Sequence, residues 1–201
     1  MLSSRDIKTL HPTLQRGAAE FLKRCEKAGL KVLITETIRD AEYQATLYAK
    51  GRARIGSIVT NLRGTKGQES PHQFGVAFDI CKNVKGNEYN DSMFFKKCGD
   101  IWKEMGGVWG GDWTSFVDKP HFEFTNGKSV GDFRKGYKMP NTAKMKWEVN
   151  SDIEDTKKLL AQCDAKGITY QKEHWNRVLS GEIKPVPEYV KTLVERLAAK
   201  K

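Results

Sequence analysis

No run of apolar residues in this chain is long enough to cross a bilayer, so a helical membrane-spanning protein is excluded. The opening residues, MLSSRDIKTLHPTLQRG, hold no apolar segment of the kind a secretory signal peptide needs. The expectation is synthesis in a cytoplasm without a signal, so that action beyond the membrane would require another route out. Cysteine is sparse: Cys25, Cys81, Cys98 and Cys163 form no CxxC pair, which argues against a zinc ribbon or a thioredoxin motif. Free thiols in a reducing compartment are the simple reading. Histidine is equally scarce, at four residues, so any cluster of them carries weight. There is no internal repeat and no low-complexity tract. Despite a net charge of +10, no Arg/Lys-rich recognition helix or known nucleic-acid motif is present, so nucleic acid is not the expected partner.

What is present suits a folded protein with a real core. The 201 residues are 38% hydrophobic and 30% charged, enough for one ordinary domain and a small one. Charge is uneven along the chain. Residues 1–146 hold 25 Lys and Arg against 16 Asp and Glu, whereas residues 147–201 hold 10 against 9. The basic part would attract anionic polymers, among them phosphate-rich wall polymers, lipid and nucleic acid. The sequence gives no indication of oligomeric state.

The periodicities predict an α+β arrangement. Leu14, Ala18, Phe21, Leu22 and Cys25 mark a helix over 14–28 stopped by Gly29, and His11-Pro12 reads as its lead-in turn. KVLITET (31–37) reads as a strand, and Asp40 as the N-cap of a helix reaching about Lys50. Residues 51–69 read as a loop bearing Arg52, Arg54, Arg63 and Lys66, either simply solvated or forming a basic rim to a groove. VAFDICK (76–82) and PHFEF (120–124) read as strands, with a helix opened by Asp91 between them. Trp109 and Trp113, in the glycine-rich approach to the second strand, are either core anchors or cleft walls. A domain over 1–138, a linker over 139–150 and a three-helix module over 151–201 are expected. That module is small enough to need Trp147, Trp175 or a neighbour for stability. His174 within it reads as a surface or capping residue.

The chemistry concentrates in SPHQFGVAFD (70–79) and DKPHFEF (118–124). His72, Asp79 and His121 would fill three corners of a tetrahedral zinc site and leave the fourth for water. Asp118, three residues before His121, is the carboxylate that could serve as general base. Cys81 shares the face of Asp79 in a strand, and a core thiol there is the simpler reading than a fourth ligand. Arg39 leaves the first strand and either pairs with an acid or points a fixed charge into a cleft where an oxyanion develops.

SPHQFGVAFD fits the S-x-H-x-x-G-x-A-x-D signature of the VanY/VanX-type zinc peptidases of peptidoglycan metabolism, and DKPHFEF fits their second motif. TETIRDAEYQATLYAKGR (35–52) resembles the segment that supplies their active-site arginine. With GGDWTSFVDKPHFE, residues 8–138 most resemble the L-alanyl-D-glutamate endopeptidases of phage endolysins and bacterial autolysins. The resemblance implies a small antiparallel sheet with flanking helices, of the hedgehog/DD-peptidase kind. It implies zinc held by His72, Asp79 and His121, Asp118 as base, Arg39 polarising the scissile carbonyl, and Ser70 and Gln44 as substrate contacts. Related dipeptidases carry glutamate where this chain has Asp118; aspartate marks the endopeptidase branch and leaves Glu123 as a rival base. The implied substrate is bacterial peptidoglycan, reached after release through a holin pore. The alternatives are a D-Ala-D-Ala carboxypeptidase on the same fold and a non-catalytic wall-binding protein. The C-terminal pattern, GITYQKEHW before a Tyr/Val/Leu helix, resembles helical modules appended to clostridial-type wall hydrolases, which suggests a wall-binding role.

Overall fold

The computed structural model describes residues 2–200. Its first compact unit runs through Met145 and its second begins at Lys146. In the first unit, α1 (Pro12–Lys27) starts with proline at a position whose N–H would have no helical partner anyway. His11 caps it, its Nδ1 accepting from the Thr13 N–H, so the lead-in turn is as expected. Gly29, at φ 73°, ends it in the left-handed conformation that glycine adopts most readily. The strand β1 (Val32–Glu36) leads to α2 (Ala41–Ala49), capped by the Asp40 carboxylate on the Tyr43 N–H. Next come β2 (Ala77–Lys82), α3 (Ser92–Glu104), β3 (Val108–Trp109), β4 (His121–Glu123) and α4 (Val130–Arg134). The strands form one antiparallel sheet in the order β1-β2-β4-β3, which makes the unit α+β as the periodicities predict. β3 is only two residues long and α4 five, too short to leave a period in the sequence.

The two faces of β2 and β4 divide the labour. Phe78 and Phe122 point to one side, where their rings stack with centroids 5.6 Å apart. Phe21 of α1 lies 5.2–5.8 Å from them and Trp102 of α3 5.1–6.4 Å. All four rings are fully buried. Each buried ring contributes roughly 1.5–3 kcal/mol by area, and edge and stacked contacts about 0.5–1.5 kcal/mol more. The alternate residues Asp79, His121 and Glu123 therefore lie on the opposite face.

β1 departs from strict alternation. Ile34 pairs with Ile80, but the next pair is Glu36 with Asp79, so one extra residue is accommodated between them. This bulge turns Glu36 from the core face to the face of Asp79.

The stretch 139–150, expected as a linker, is taken up from both sides. Met139 and Met145 are buried, the Met139 carbonyl meets His11 Nε2 at 2.9 Å, and the Ala143 carbonyl accepts from the Thr13 hydroxyl. Lys146 then starts α5 (Lys146–Ala165), followed by α6 (Lys172–Leu179) and α7 (Pro187–Ala199). Their core gathers Leu160, Cys163, Ile168, Trp175, Val178 and Leu193, so Trp175 is an internal anchor. All four cysteines are buried and free. No described helix is long and apolar enough to cross a membrane.

Gly99 shows how tightly α3 meets the sheet, since a Cβ there would lie 2.3 Å from the Trp109 ring. Alanine favours a helix over glycine by about 1 kcal/mol. Gly99→Ala should nevertheless destabilise the protein by about 1–3 kcal/mol, because the rigid ring must move. A thermal midpoint equal to wild type would show that the ring has room to yield.

Candidate metal centre

Asp79 and His121 sit opposite each other across the β2–β4 ladder, which brings a short acid and an imidazole together on the face away from the core. His72 joins them from a single 3₁₀ turn, Pro71–Phe74. The Ser70 and Gln73 side chains cap that turn reciprocally, and Gly75 ends it at φ 66°. A side chain at Gly75 would also meet the His11 backbone nitrogen at 3.3 Å. His121 Nδ1 lies 3.1 Å from Asp79 Oδ1 and 3.2 Å from His72 Nε2, and His72 Nε2 lies 3.3 Å from Asp79 Oδ1. Tetrahedral zinc bonded at about 2.0–2.1 Å places its donor atoms about 3.3–3.4 Å apart, so the three residues fit the ion with little movement. Among the described residues this is the one group of three with metal-ligand spacing, and Cys81 is not part of it.

The outer nitrogens are committed elsewhere. His72 Nδ1 meets the Thr37 carbonyl at 2.7 Å, which leaves Nε2 facing the other two donors. His121 Nε2 meets Glu123 Oε2 at 3.2 Å, which leaves Nδ1 facing them. This is the arrangement by which an outer carboxylate or carbonyl orients a metal-binding histidine.

The electrostatics call for a cation. Burial would push the His121 pKa down, but its hydrogen bonds to Asp79 and Glu123 prevail and raise it to about 10. Burial likewise opposes ionisation of Asp79, yet the flanking His72 and His121 hold its carboxyl well below the usual range. A metal ion supplies that positive charge while leaving both imidazoles neutral.

Asp118 stands beside the trio. Its N–H donates to the Gly110 carbonyl at 3.0 Å, and its carbonyl accepts from the His121 N–H at 3.2 Å. A Cβ at Gly110 would come within 2.5 Å of that carbonyl, so only glycine lets the turn close here. Burial raises the Asp118 carboxyl above its ordinary value, assisted by the nearby Asp79 charge. That direction suits a group that must accept a proton near neutrality.

Arg39 pairs with an acid, one of the two possibilities left by the sequence. It is buried and pairs with Glu36, donates from Nε to Gln44 Oε1 at 2.6 Å, and reaches Ser70 Oγ at 3.3 Å from Nη2. It also lines the cleft, and its five N–H groups exceed these three bonds. Gln44 is fully buried, donating to Thr60 Oγ1 and the Leu62 carbonyl, so it holds Arg39 and does not face the cleft. Ser70 lines the cleft.

The cleft is about 280 Å³, walled by Trp113, Asp118, His121, Ser70 and Arg39, with residues 59–62 on its rim. Trp113 lies over His121, ring centroids 5.0 Å apart, whereas Trp109 is a core anchor whose Nε1 holds the Lys119 carbonyl. Arg52 and Arg63 stack on Tyr48, which gives these two of the loop arginines a packing partner. The residues not anticipated as part of the site are Glu36, Thr37 and Gly110.

Two buried imidazoles and a carboxylate, with a flanking acid at a cleft, form a donor set that could hold a metal ion. Residues 63–124 match the family model described as D-alanyl-D-alanine carboxypeptidase. The peptidoglycan L-alanyl-D-glutamate endopeptidase CwlK of Bacillus subtilis (strain 168) is 35% identical over 125 residues, which are 57% of this chain and 72% of CwlK. The L-alanyl-D-glutamate peptidase of Listeria phage A118 is 30% identical over 155 residues, 75% of this chain and 50% of that protein. A solved structure, the Serratia marcescens L-Ala D-Glu endopeptidase ChiX, gives a TM-score of 0.45 at 20% identity, covering 62% of this chain and 89% of that one. The chain belongs to the M15 family of VanX/VanY-like peptidases.

Glu123→Gln should weaken zinc binding about 10–100-fold, the usual effect of removing a carboxylate that orients a ligating histidine. Competition with a chelator measures this directly. Unchanged affinity would make the Glu123 contact incidental.

Proposed function

We propose that this chain is a zinc-dependent peptidoglycan endopeptidase that hydrolyses the bond between L-alanine and D-glutamate in the stem peptide. The observation that carries the reading is the His72–Asp79–His121 trio, its donor atoms 3.1–3.3 Å apart, opening on a cleft with Asp118 and Arg39. The bond is supported by the names of both curated relatives, which cut L-alanyl-D-glutamate linkages.

When bound, zinc supplies Lewis acidity toward a carbonyl and a water acidified toward neutrality. His72, Asp79 and His121 hold the ion, with Thr37 and Glu123 fixing the two imidazoles. Asp118 takes the proton from the attacking water and delivers it to the leaving amine. Its raised pKa makes it a better acceptor than an exposed aspartate. Arg39, held by Glu36 and Gln44, offers its remaining N–H groups to the carbonyl oxygen as negative charge develops there. Trp113 covers His121 and helps keep the site dry. Ser70 reaches substrate from the cleft wall, and Gln44 acts only through Arg39.

The basic first unit would be drawn to a wall bearing anionic polymers. The phage relative supports a role in lysis, with release from the host cytoplasm through a holin pore. The second unit, from Lys146, is assigned to holding the enzyme on the wall. A D-Ala-D-Ala carboxypeptidase is the second reading, favoured by the description of the family model.

Digestion of purified peptidoglycan followed by mass spectrometry separates the two. New N-terminal D-glutamate supports the endopeptidase; loss of terminal D-alanine alone would replace it. At saturating zinc, Asp118→Asn should lose about 10²–10⁴-fold in rate while keeping its metal. Glu123→Gln should recover under the same conditions, because its deficit lies in affinity. The reverse order would make Glu123 the base. Arg39→Ala should slow turnover about 10²–10³-fold, and an effect confined to KM would assign it to ground-state binding.

A further inference from the structure

The second unit carries a cavity of about 270 Å³ between α6, α7 and the residues leading into α6. Tyr170, His174 and Tyr189 supply rings, and Gln171, Thr192 and Arg196 supply polar groups. His174, read from sequence as a surface or capping residue, is neither. Gln171 occupies the N-cap of α6, and the imidazole packs edge-on against Trp175 and Tyr189, with centroids 5.3 and 5.0 Å away. Its Nε2 is shielded from solvent and finds no hydrogen-bond partner among the described residues. Native proteins keep few such groups.

The walls are amphipathic in a particular way. Tyr189 is 49% exposed, so about half of its side chain is open beside the cavity. The Tyr170 hydroxyl is already tied to both Asp164 oxygens at 2.9 Å, which fixes the ring and leaves its apolar surface to line the cavity. Arg196 spends one nitrogen on the Thr169 carbonyl and keeps others. Rings to take a C–H face, surrounded by hydroxyl, amide and guanidinium groups, suit a pyranose with its equatorial polar rim. A single arginine among the lining residues is too little positive charge for a polyphosphate chain. The volume lies just below the range of about 300–1,000 Å³ for drug-sized ligands, which points to one or two sugar units.

We infer that this cavity is a binding site for an N-acetylated amino sugar of the wall glycan, with the sugar ring on Tyr189 and its polar rim toward Gln171, Thr192 and Arg196. The choice of saccharide rests on the peptidoglycan reading above. The site holds the enzyme on the glycan while the metal centre works on the attached peptides.

The test uses the full chain and two probes: a tetramer of N-acetylglucosamine, and peptide-free glycan strands from purified wall. Calorimetry should show saturable binding of both, with amide shifts concentrated in residues 168–196. Tyr189→Ser should weaken binding about tenfold or more, on the scale of a lost ring contact. It should also leave cleavage of a sugar-free stem peptide unchanged. If Tyr189→Ser does not fold, as judged by circular dichroism, the exposed rim variant Gln171→Ala should still weaken binding several-fold. The proposal falls if neither saccharide binds the folded protein, if both folded variants bind as wild type does, or if the stem peptide alone shifts these residues. Stem-peptide cleavage without saccharide binding removes this site and leaves the peptidase reading standing. Saccharide binding without cleavage does the reverse.

Discussion

Asp79 and His121 meet at one rung of an antiparallel ladder, and the residues beside them, Phe78 and Phe122, meet at the next. The same pairing therefore serves two purposes on opposite faces. On one face it stacks the two phenyl rings under Phe21 and Trp102; on the other it brings a carboxylate and an imidazole to 3.1 Å. A slip of one residue would exchange the faces, placing the acid and the histidine in an aromatic core and the phenylalanines in the cleft. The hydrophobic packing is thus what specifies the ligand geometry.

Around that rung, each functional group is fixed by a second one that does not face the cleft. The Thr37 carbonyl sets the His72 ring, Glu123 sets His121, and Glu36 with the buried Gln44 sets Arg39. Acidic and basic groups alternate through the cluster: Glu36, Arg39, Asp79, the two histidines, Glu123. Removing any one would leave a neighbour poorly compensated in a low-dielectric setting, where unpaired charge is expensive. The flanking histidines hold the Asp79 carboxyl low, whereas burial and the Asp79 charge raise that of Asp118.

Much of this was legible in the residues. The helices announce themselves through caps and periodicity, and the grouping of His72, Asp79 and His121 through motif spacing. What escaped has specific physical causes. Glu36 has the same parity as Ile34 in the sequence, and only the extra residue in the ladder turns it toward Asp79. Gly110 looks like one more turn glycine in GGVWGGDW, yet its role is close approach to the Asp118 carbonyl. Gln44, expected from the resemblance as a substrate contact, is buried and bonded to Thr60 and Leu62. The stretch over 139–150 lacks period because Met139 and Met145 are buried singly against α1 and its approach, not as one face of an element.

The bulge between Ile34 and Glu36 also sets where this chain can change length. Without the bulge at this chain length, Glu36 would fall opposite Phe78 and swing its carboxylate in among Ile80 and the aromatic rings, away from Arg39. An insertion would shift the Arg39 segment by a step and take it out of register with Ser70. The loop over 51–69 is different: it joins α2 to the turn bearing His72, and adding residues to a long loop costs little closure entropy. Natural length variation within this fold should therefore gather in that loop and stay out of β1, although both lie near the same cleft.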